Sequence, residues 1–329
     1  MNTIKENINN GVIIVEPNEN DYIAGAASPL PIINLTNGDN RPYKPDEENQ
    51  GGSGGDKMDC VTVSGSGAIE TDLNILIVTG KMPIGHLAWL NKWGFIAADG
   101  KVRTSTRWAS IQNGTTMQGN SANGVAEWFR KNGFIPESML PNDQTMEWRD
   151  YYNTACITDE MKKCAAESLI MFSMNYEWVV GDDKDLTDHL KRGAIQILTA
   201  VCPGWTAVSP VPACNLPIQH ATELLCVESP KKDIFDSYDP HNKTLGAGYP
   251  IPYRMLYLIQ PIINNILMAI IKKQGEGTLY AQAGDLLVPF ETDFPTYQVD
   301  FANAKIIELS PTEFAKFKIA SAVALTKKI

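Results

Sequence analysis

The sequence predicts an α+β chain in which helices and strands both occur. Three observations carry that reading. Apolar residues recur at helical spacing through Val125, Trp128 and Phe129, and again through Met161, Cys164, Ala165, Leu169 and Phe172. Later the pattern changes to short apolar runs bounded by turn residues: Ala194 to Cys202 reads as a buried strand, and Gln219 to Pro240 as two neighbouring strands split at Ser229-Pro230-Lys231-Lys232. From Leu279 the runs LYAQAG, DLLVPFE, YQVDFA and KIIEL alternate as a small β-rich module.

The elements follow in order. Residues 1 to about 50 are rich in Asn, Pro and Gly, with one β-like run at Val12–Val15, and read as an extended arm. GGSGGDK is a flexible loop, after which CVTVSGSGAIE opens a helix at Cys60 with Asp59 in the N-cap position. Val61, Thr62, Val63 and Gly65 make that helix an intrinsically poor one. Asp99-Gly100 in FIAADGKVRTS marks a short hairpin. Gly133 stops the helix that carries Trp128, and Pro136 follows it. Further helices are expected over Thr158–Asn175 and over Asp183–Gly193, the latter with His189 on a solvated face. Trp205 to Leu216 is a proline-broken loop. Arg254 to Lys273 reads as a long apolar helix interrupted at Pro261, and QGEGT as a linker. Ser310-Pro311-Thr312-Glu313 has the form of a capping box.

At 329 residues the chain can bury a substantial core. Its 28 basic against 38 acidic residues give a net charge of −10, which argues against general nucleic-acid binding. The start, MNTIKENINNGVIIVEP, lacks the apolar stretch of a secretory leader. Ile259 to Ile271 is broken by Gln260, Pro261, Asn264 and Asn265, short of the roughly 20 apolar residues of a spanning helix. The expectation is a soluble protein, cytoplasmic or virion-associated, with neither nucleic acid nor membrane as partner. Six cysteines without a CxxC read as mostly reduced thiols. Cys202, Cys214 and His220 match no common zinc spacing, so no metal and no cofactor is expected. His86 and His241 read as surface residues.

The chemistry concentrates in Gln219–Pro240. His220 near the start of one strand and Asp236 at the end of the next can bring a carboxylate against an imidazole and fix its tautomer. Asp239, just before Pro240, is the poorer orienter. An imidazole held in this way activates a nucleophile. Cys60, after a glycine-rich loop and at a helix N-terminus, is the candidate, because the positive end of the dipole favours the thiolate.

This arrangement resembles the papain-like cysteine peptidases. Gln50 precedes Cys60, Cys60 opens a helix, His220 is followed by Ala221, and Asp236 lies in IFDSYDP, where the family has an NSWG-like strand end. GNSANGVAEWFRKNGFIPES is similar to the family's helix flanking the cleft. The spans Tyr43 to Gln50, Gln112 to Asn120 and His220 to Pro240 are also similar to papain-like proteins of bacteriophages and uncultivated bacteria.

The resemblance implies a two-lobe fold, one lobe helical and one of antiparallel β-structure, over residues 50–273. An N-terminal arm (1–49) would precede it, and a β-rich module (274–329), a place for an assembly partner, would follow. It implies Cys60 as nucleophile, His220 as general base, Asp236 in place of the orienting amide and Gln50 in the oxyanion hole. Tyr238 would replace the packing tryptophan, and a peptide or protein would be the substrate. The full Q-x-C-G-S-C-W signature is absent, and the interval from Gln50 to Cys60 is longer than the family's. A thiol amidase such as a cell-wall hydrolase, or a catalytically silent structural protein of a virus particle, fits the same residues.

Overall fold

A computed structural model describes residues 11–16, 35–262, 270–274, 279–283, 286–289, 306–316 and 318–319. After a two-residue hairpin of β1 (Gly51–Gly52) and β2 (Gly55–Asp56), the chain enters α1 (Cys60–Val78), the helix around which the first half is built. Every residue from Cys60 to Leu76 is buried, so α1 has no solvated face. That explains how a sequence of low intrinsic helicity forms a helix: packing on all sides replaces propensity. Its small residues allow the close approach. A side chain at Gly65 would stand 2.9 Å from the Tyr257 hydroxyl, and one at Gly67 would stand 3.1 Å from Glu223 Oε2.

Around α1 lie α2 (Ile84–Trp93), α3 (Thr106–Gln112), α4 (Ala122–Asn132), the single turn α5 (Trp148–Tyr151) and α6 (Asp159–Met171). Ser121 caps α4 by accepting from Gly124 N–H, and Val125, Ala126 and Phe129 form its buried stripe. The hairpin expected at Asp99-Gly100 is present, closed by an Ile96–Val102 bridge.

The second half is an antiparallel sheet of six strands in the order β3-β8-β4-β5-β6-β7. The strands are β3 (Phe172–Trp178), β4 (Ile195–Thr199), β5 (His220–Glu228), β6 (Lys231–Phe235), β7 (Asn242–Leu245) and β8 (Tyr253–Pro261); α7 (Asp183–Leu190) lies between β3 and β4. Here two expectations are corrected. The helix expected over Arg254–Lys273 is strand as far as Pro261, and the helix expected to reach Asn175 ends at Met171 and continues as β3. The reason is burial on both faces. Met255, Tyr257 and Ile259 pack into the core shared with α1, whereas Leu256 and Leu258 pack into a second core. A strand covered on both sides has a continuous apolar run that periodicity cannot separate from a helix.

Polar side chains fasten α1 to the sheet. Gln196 Nε2 donates to Val61 O and Ser64 Oγ, each at 2.7 Å, and Asp72 accepts from the backbone of Ala194 (2.8 Å) and Ile259 (3.3 Å). Cys202 and Cys214 form a disulfide across the loop before β5, and the other four cysteines remain thiols, in line with the expectation of mostly reduced cysteines. His86 and His241 are buried rather than superficial. His86 Nε2 bonds to Met171 O at 2.8 Å, and His241 Nδ1 bonds to Asp236 O at 2.7 Å.

Toward the C-terminus β9 (Ile270–Lys273), β10 (Leu279–Ala283), β11 (Leu286–Pro289), β12 (Ile306–Leu309) and β13 (Lys318–Ile319) form a separate sheet in the order β12-β9-β10-β11-β13. Between β12 and β13 lies α8 (Pro311–Phe314), with the expected Ser310–Glu313 capping box. The run YQVDFA lies outside the described residues. Among the described residues no helix is long and apolar enough to cross a membrane.

Candidate active site

Cys60 is the first residue of α1, where backbone N–H groups have no carbonyl of the preceding turn to bond. The loop leading to it is pinned on several sides. Lys57 Nζ, fully buried, donates to Gly54 O (2.9 Å), Gly55 O (3.1 Å) and Met146 O (2.6 Å), and Tyr152 Oη donates to Lys57 O at 2.7 Å. Met58 is held at φ +54°, a left-handed conformation uncommon for a side chain of its size. Asp59 occupies the N-cap position without capping; its Oδ2 accepts from Tyr151 Oη (3.0 Å) and Ser110 Oγ (3.1 Å). Burial pushes its carboxyl up to about 7, against those two hydrogen bonds.

His220 begins β5, paired with Thr199 of β4, and Asp236 follows the last residue of β6. The two side chains are fully buried, and His220 Nε2 lies 2.5 Å from Asp236 Oδ1. Asp236 Oδ2 accepts from Trp205 Nε1 and from Lys243 Nζ, both at 2.7 Å. Burial works against charge on both partners, but attraction prevails. Asp236 holds His220 well above the ordinary imidazole range, with help from the Cys60 thiol through hydrogen bonding and charge. His220 and Lys243 hold Asp236 below the ordinary carboxylate range. With Nε2 on the carboxylate, Nδ1 is the nitrogen left for the thiol, and no oxygen or nitrogen is bonded to it. Trp205 meets the imidazole edge-on at 5.7 Å, and Tyr238 lies tilted over it at 5.3 Å.

The chain superposes on procathepsin L2 from the larval midgut of Tenebrio molitor with a TM-score of 0.50, at 14% identity, over 77% of this chain and 78% of that one. It superposes equally, at 0.50 and 16% identity, on xylellain, a cysteine protease of Xylella fastidiosa, over 77% of this chain and 96% of that one. The fold is papain-like. No family model matches the sequence, and no curated protein sequence does.

Cys60 at the head of α1 and His220 at the head of β5 lie within hydrogen-bonding reach of each other. Gln50 is also brought here, but its donors are engaged. Its Nε2 donates to Asp56 Oδ1 (2.9 Å) and Tyr238 Oη (2.7 Å), its Oε1 accepts from Ser237 Oγ (2.7 Å), and Tyr238 Oη bonds to Asp56. An amide has two N–H bonds, and both are used here.

The site is also covered. Val12 pairs with Asn120 in parallel register, Asn120 N–H donates to Gly11 O (3.2 Å), and Ile13 N–H donates to Asn120 O (2.8 Å). This lays Gly11 against Cys60: a side chain there would stand 3.2 Å from Cys60 Sγ and 2.9 Å from Met58 O. Cys60 is accordingly 0% exposed, and Val12 is buried. The Val12–Val15 run was legible as extended, but its pairing with Asn120 was not. Sequence reasoning also missed Lys243 and Trp205. The signal for a cation was present, since a buried aspartate adds a charge that needs a partner.

Proposed function

We propose that this chain is a thiol peptidase acting through Cys60, His220 and Asp236. The observation that carries the proposal is the buried His220–Asp236 pair acting on a thiol at the head of α1, in a papain-like fold. Cys60 Sγ attacks the carbonyl carbon of the scissile bond, and His220 gives its proton to the departing amine nitrogen, leaving a thioester. Water, deprotonated by His220, then attacks the thioester; the carboxylic product leaves and the thiol is restored. Asp236 keeps the ring in the productive tautomer and stabilises its cationic form. The Cys60 backbone N–H is placed to meet the oxyanion, a donor worth about 3 kcal/mol in comparable sites. Gln50 would join it after giving up Asp56 or Tyr238. The substrate is a peptide or protein, and residues 274–329 are a place for an assembly partner.

Cys60→Ala is expected to abolish hydrolysis of an unfolded protein while changing stability by no more than about 1 kcal/mol. Wild-type hydrolysis in that variant removes Cys60 from the mechanism.

The engaged Gln50 amide and the strand over Cys60 favour one further reading, a silent protein that keeps the fold without turnover. Deletion of residues 1–34 separates the two. It spares Leu35 and Asn40, whose N–H groups bond to Lys191 O and Leu225 O. The deletion is expected to raise hydrolysis by about tenfold or more, because a tethered occupant acts at a high effective concentration. Unchanged hydrolysis, with no adduct at Cys60 from a thiol-reactive epoxide, supports the silent reading.

A further inference from the structure

Among the described residues, Lys243 is the cation whose surroundings its position in β7 does not explain. Its side chain is 2% exposed, and Nζ is enclosed by three acceptors: Asp236 Oδ2 at 2.7 Å, Tyr238 O at 2.5 Å and Pro240 O at 2.6 Å. An ammonium has three hydrogens, and all three are used. The Trp205 ring lies 5.5 Å away. A buried lysine costs stability unless a charge opposes it, and the one carboxylate it touches is Asp236.

We propose that Lys243 is a positioning residue that balances the charge of the Cys60–His220–Asp236 site, making a buried aspartate workable there. This rests on the peptidase reading. In the reactive form thiolate, imidazolium, carboxylate and ammonium alternate in sign along one buried line and sum to zero. Without Lys243 the remaining three sum to −1, and with an amide at position 236 but Lys243 retained they sum to +1. Either imbalance is expensive at 0–2% exposure. Lys243 also fixes the turn between β6 and β7 through Tyr238 O and Pro240 O, and that turn carries both Asp236 and the ring over His220.

The other ionisable groups around the site come from every neighbouring element. They are Cys60 of α1, Asp56 of β2 through the Tyr238 hydroxyl, Tyr238 and His241 of the turn, Tyr249 before β8, and four acids that line one cavity with Asp236: Asp46 and Glu48 before β1, Glu70 of α1 and Glu223 of β5. None of them supplies a second cation to Asp236 Oδ2.

The test is a double-variant cycle in the full chain with Lys243→Met, Asp236→Asn and both together. It is read by peptide hydrolysis, by thermal denaturation and by NMR titration of the His220 ring, assigned by its absence in His220→Asn. Lys243→Met removes a positive charge, so His220 is expected to hold its proton to higher pH, by about one unit or more. Asp236→Asn shifts it the other way. Each single variant loses hydrolysis and thermal stability, and the double variant, neutral again, exceeds both singles by about tenfold in hydrolysis and melts above both. A His220 titration unmoved by Lys243→Met overturns the proposal, as does a double variant worse than either single. If the peptidase reading fails instead, wild type shows no hydrolysis. The titration and melting arms still decide the role of Lys243 in that case.

Discussion

Two buried carboxyls on neighbouring strands of one sheet have opposite fates. Asp236, after β6, receives an imidazole, an indole and an ammonium on its two oxygens, and its pKa lies below the ordinary value. Glu223, on β5 and 1% exposed, has no hydrogen bond to either oxygen, although the Thr71 hydroxyl is near enough to favour its ionised form somewhat. Burial pushes it up to about 8. It lines a cavity beside α1 together with Asp236 itself and with Glu48 and Glu70, both of which burial also raises, Glu48 to about 8. Burial is common to all of these acids, and Glu70 stays raised although Thr104 donates to it twice, so the opposing charges of His220 and Lys243 set Asp236 apart. The protein places one buried cation, Lys243, where a negative charge serves the site and leaves the acids beside α1 to hold protons.

The larger effect expected from this contrast is at Glu223. Its folded-state pKa of about 8 is raised above the ordinary 4.5, so the folded chain binds the proton more tightly than the unfolded chain. The stability linked to that proton is complete below about pH 4.5 and is lost as pH rises through about 8. Glu223→Gln keeps the size and stays neutral. It is expected to melt close to wild type at pH 5 and to be more stable at pH 9, by on the order of 3–5 kcal/mol. Equal differences at the two pH values would show that Glu223 is ionised throughout and would end the contrast with Asp236.

The two regions also differ in how far the sequence exposed them. Cys60, His220 and Asp236 were legible because each stands at a boundary that local chemistry marks: a glycine-rich loop before a helix, a strand start and a strand end. The α+β division was legible for the same reason, from changes of period. What stayed hidden depends on partners distant along the chain or on choices that periodicity leaves open. Tyr253–Pro261 reads as helix until the core on its second face is known. Gly11 gives no sign that it lies on Cys60, 49 residues away, because one backbone pairing with Asn120 brings it there. Lys243 looks like any strand lysine, and Trp205 lies in a loop whose shape depends on the Cys202–Cys214 bond. Glu48, Glu70 and Glu223 carry no mark that they share a cavity.

Trp205 offers the smaller and sharper probe of the same contrast. Trp205→Phe keeps an aromatic ring edge-on to His220 but removes one of the two donors on Asp236 Oδ2 and leaves Lys243 in place. A hydrogen bond to a charged group contributes about 1.5–3 kcal/mol. The variant is therefore expected to lose stability within that range and hydrolysis by about threefold to tenfold, with the loss growing as pH falls. The pH trend follows from the sign. A donor removed from an ionised carboxylate raises its pKa, so protonation of Asp236 begins at higher pH than in wild type and releases the ring sooner on acidification. At Glu223, removing a charge relieves the buried site; at Asp236, removing a donor burdens it. A Trp205→Phe variant whose pH–rate profile overlays that of wild type would mean that Lys243 alone keeps Asp236 ionised, and would move the whole weight of the contrast onto that one cation.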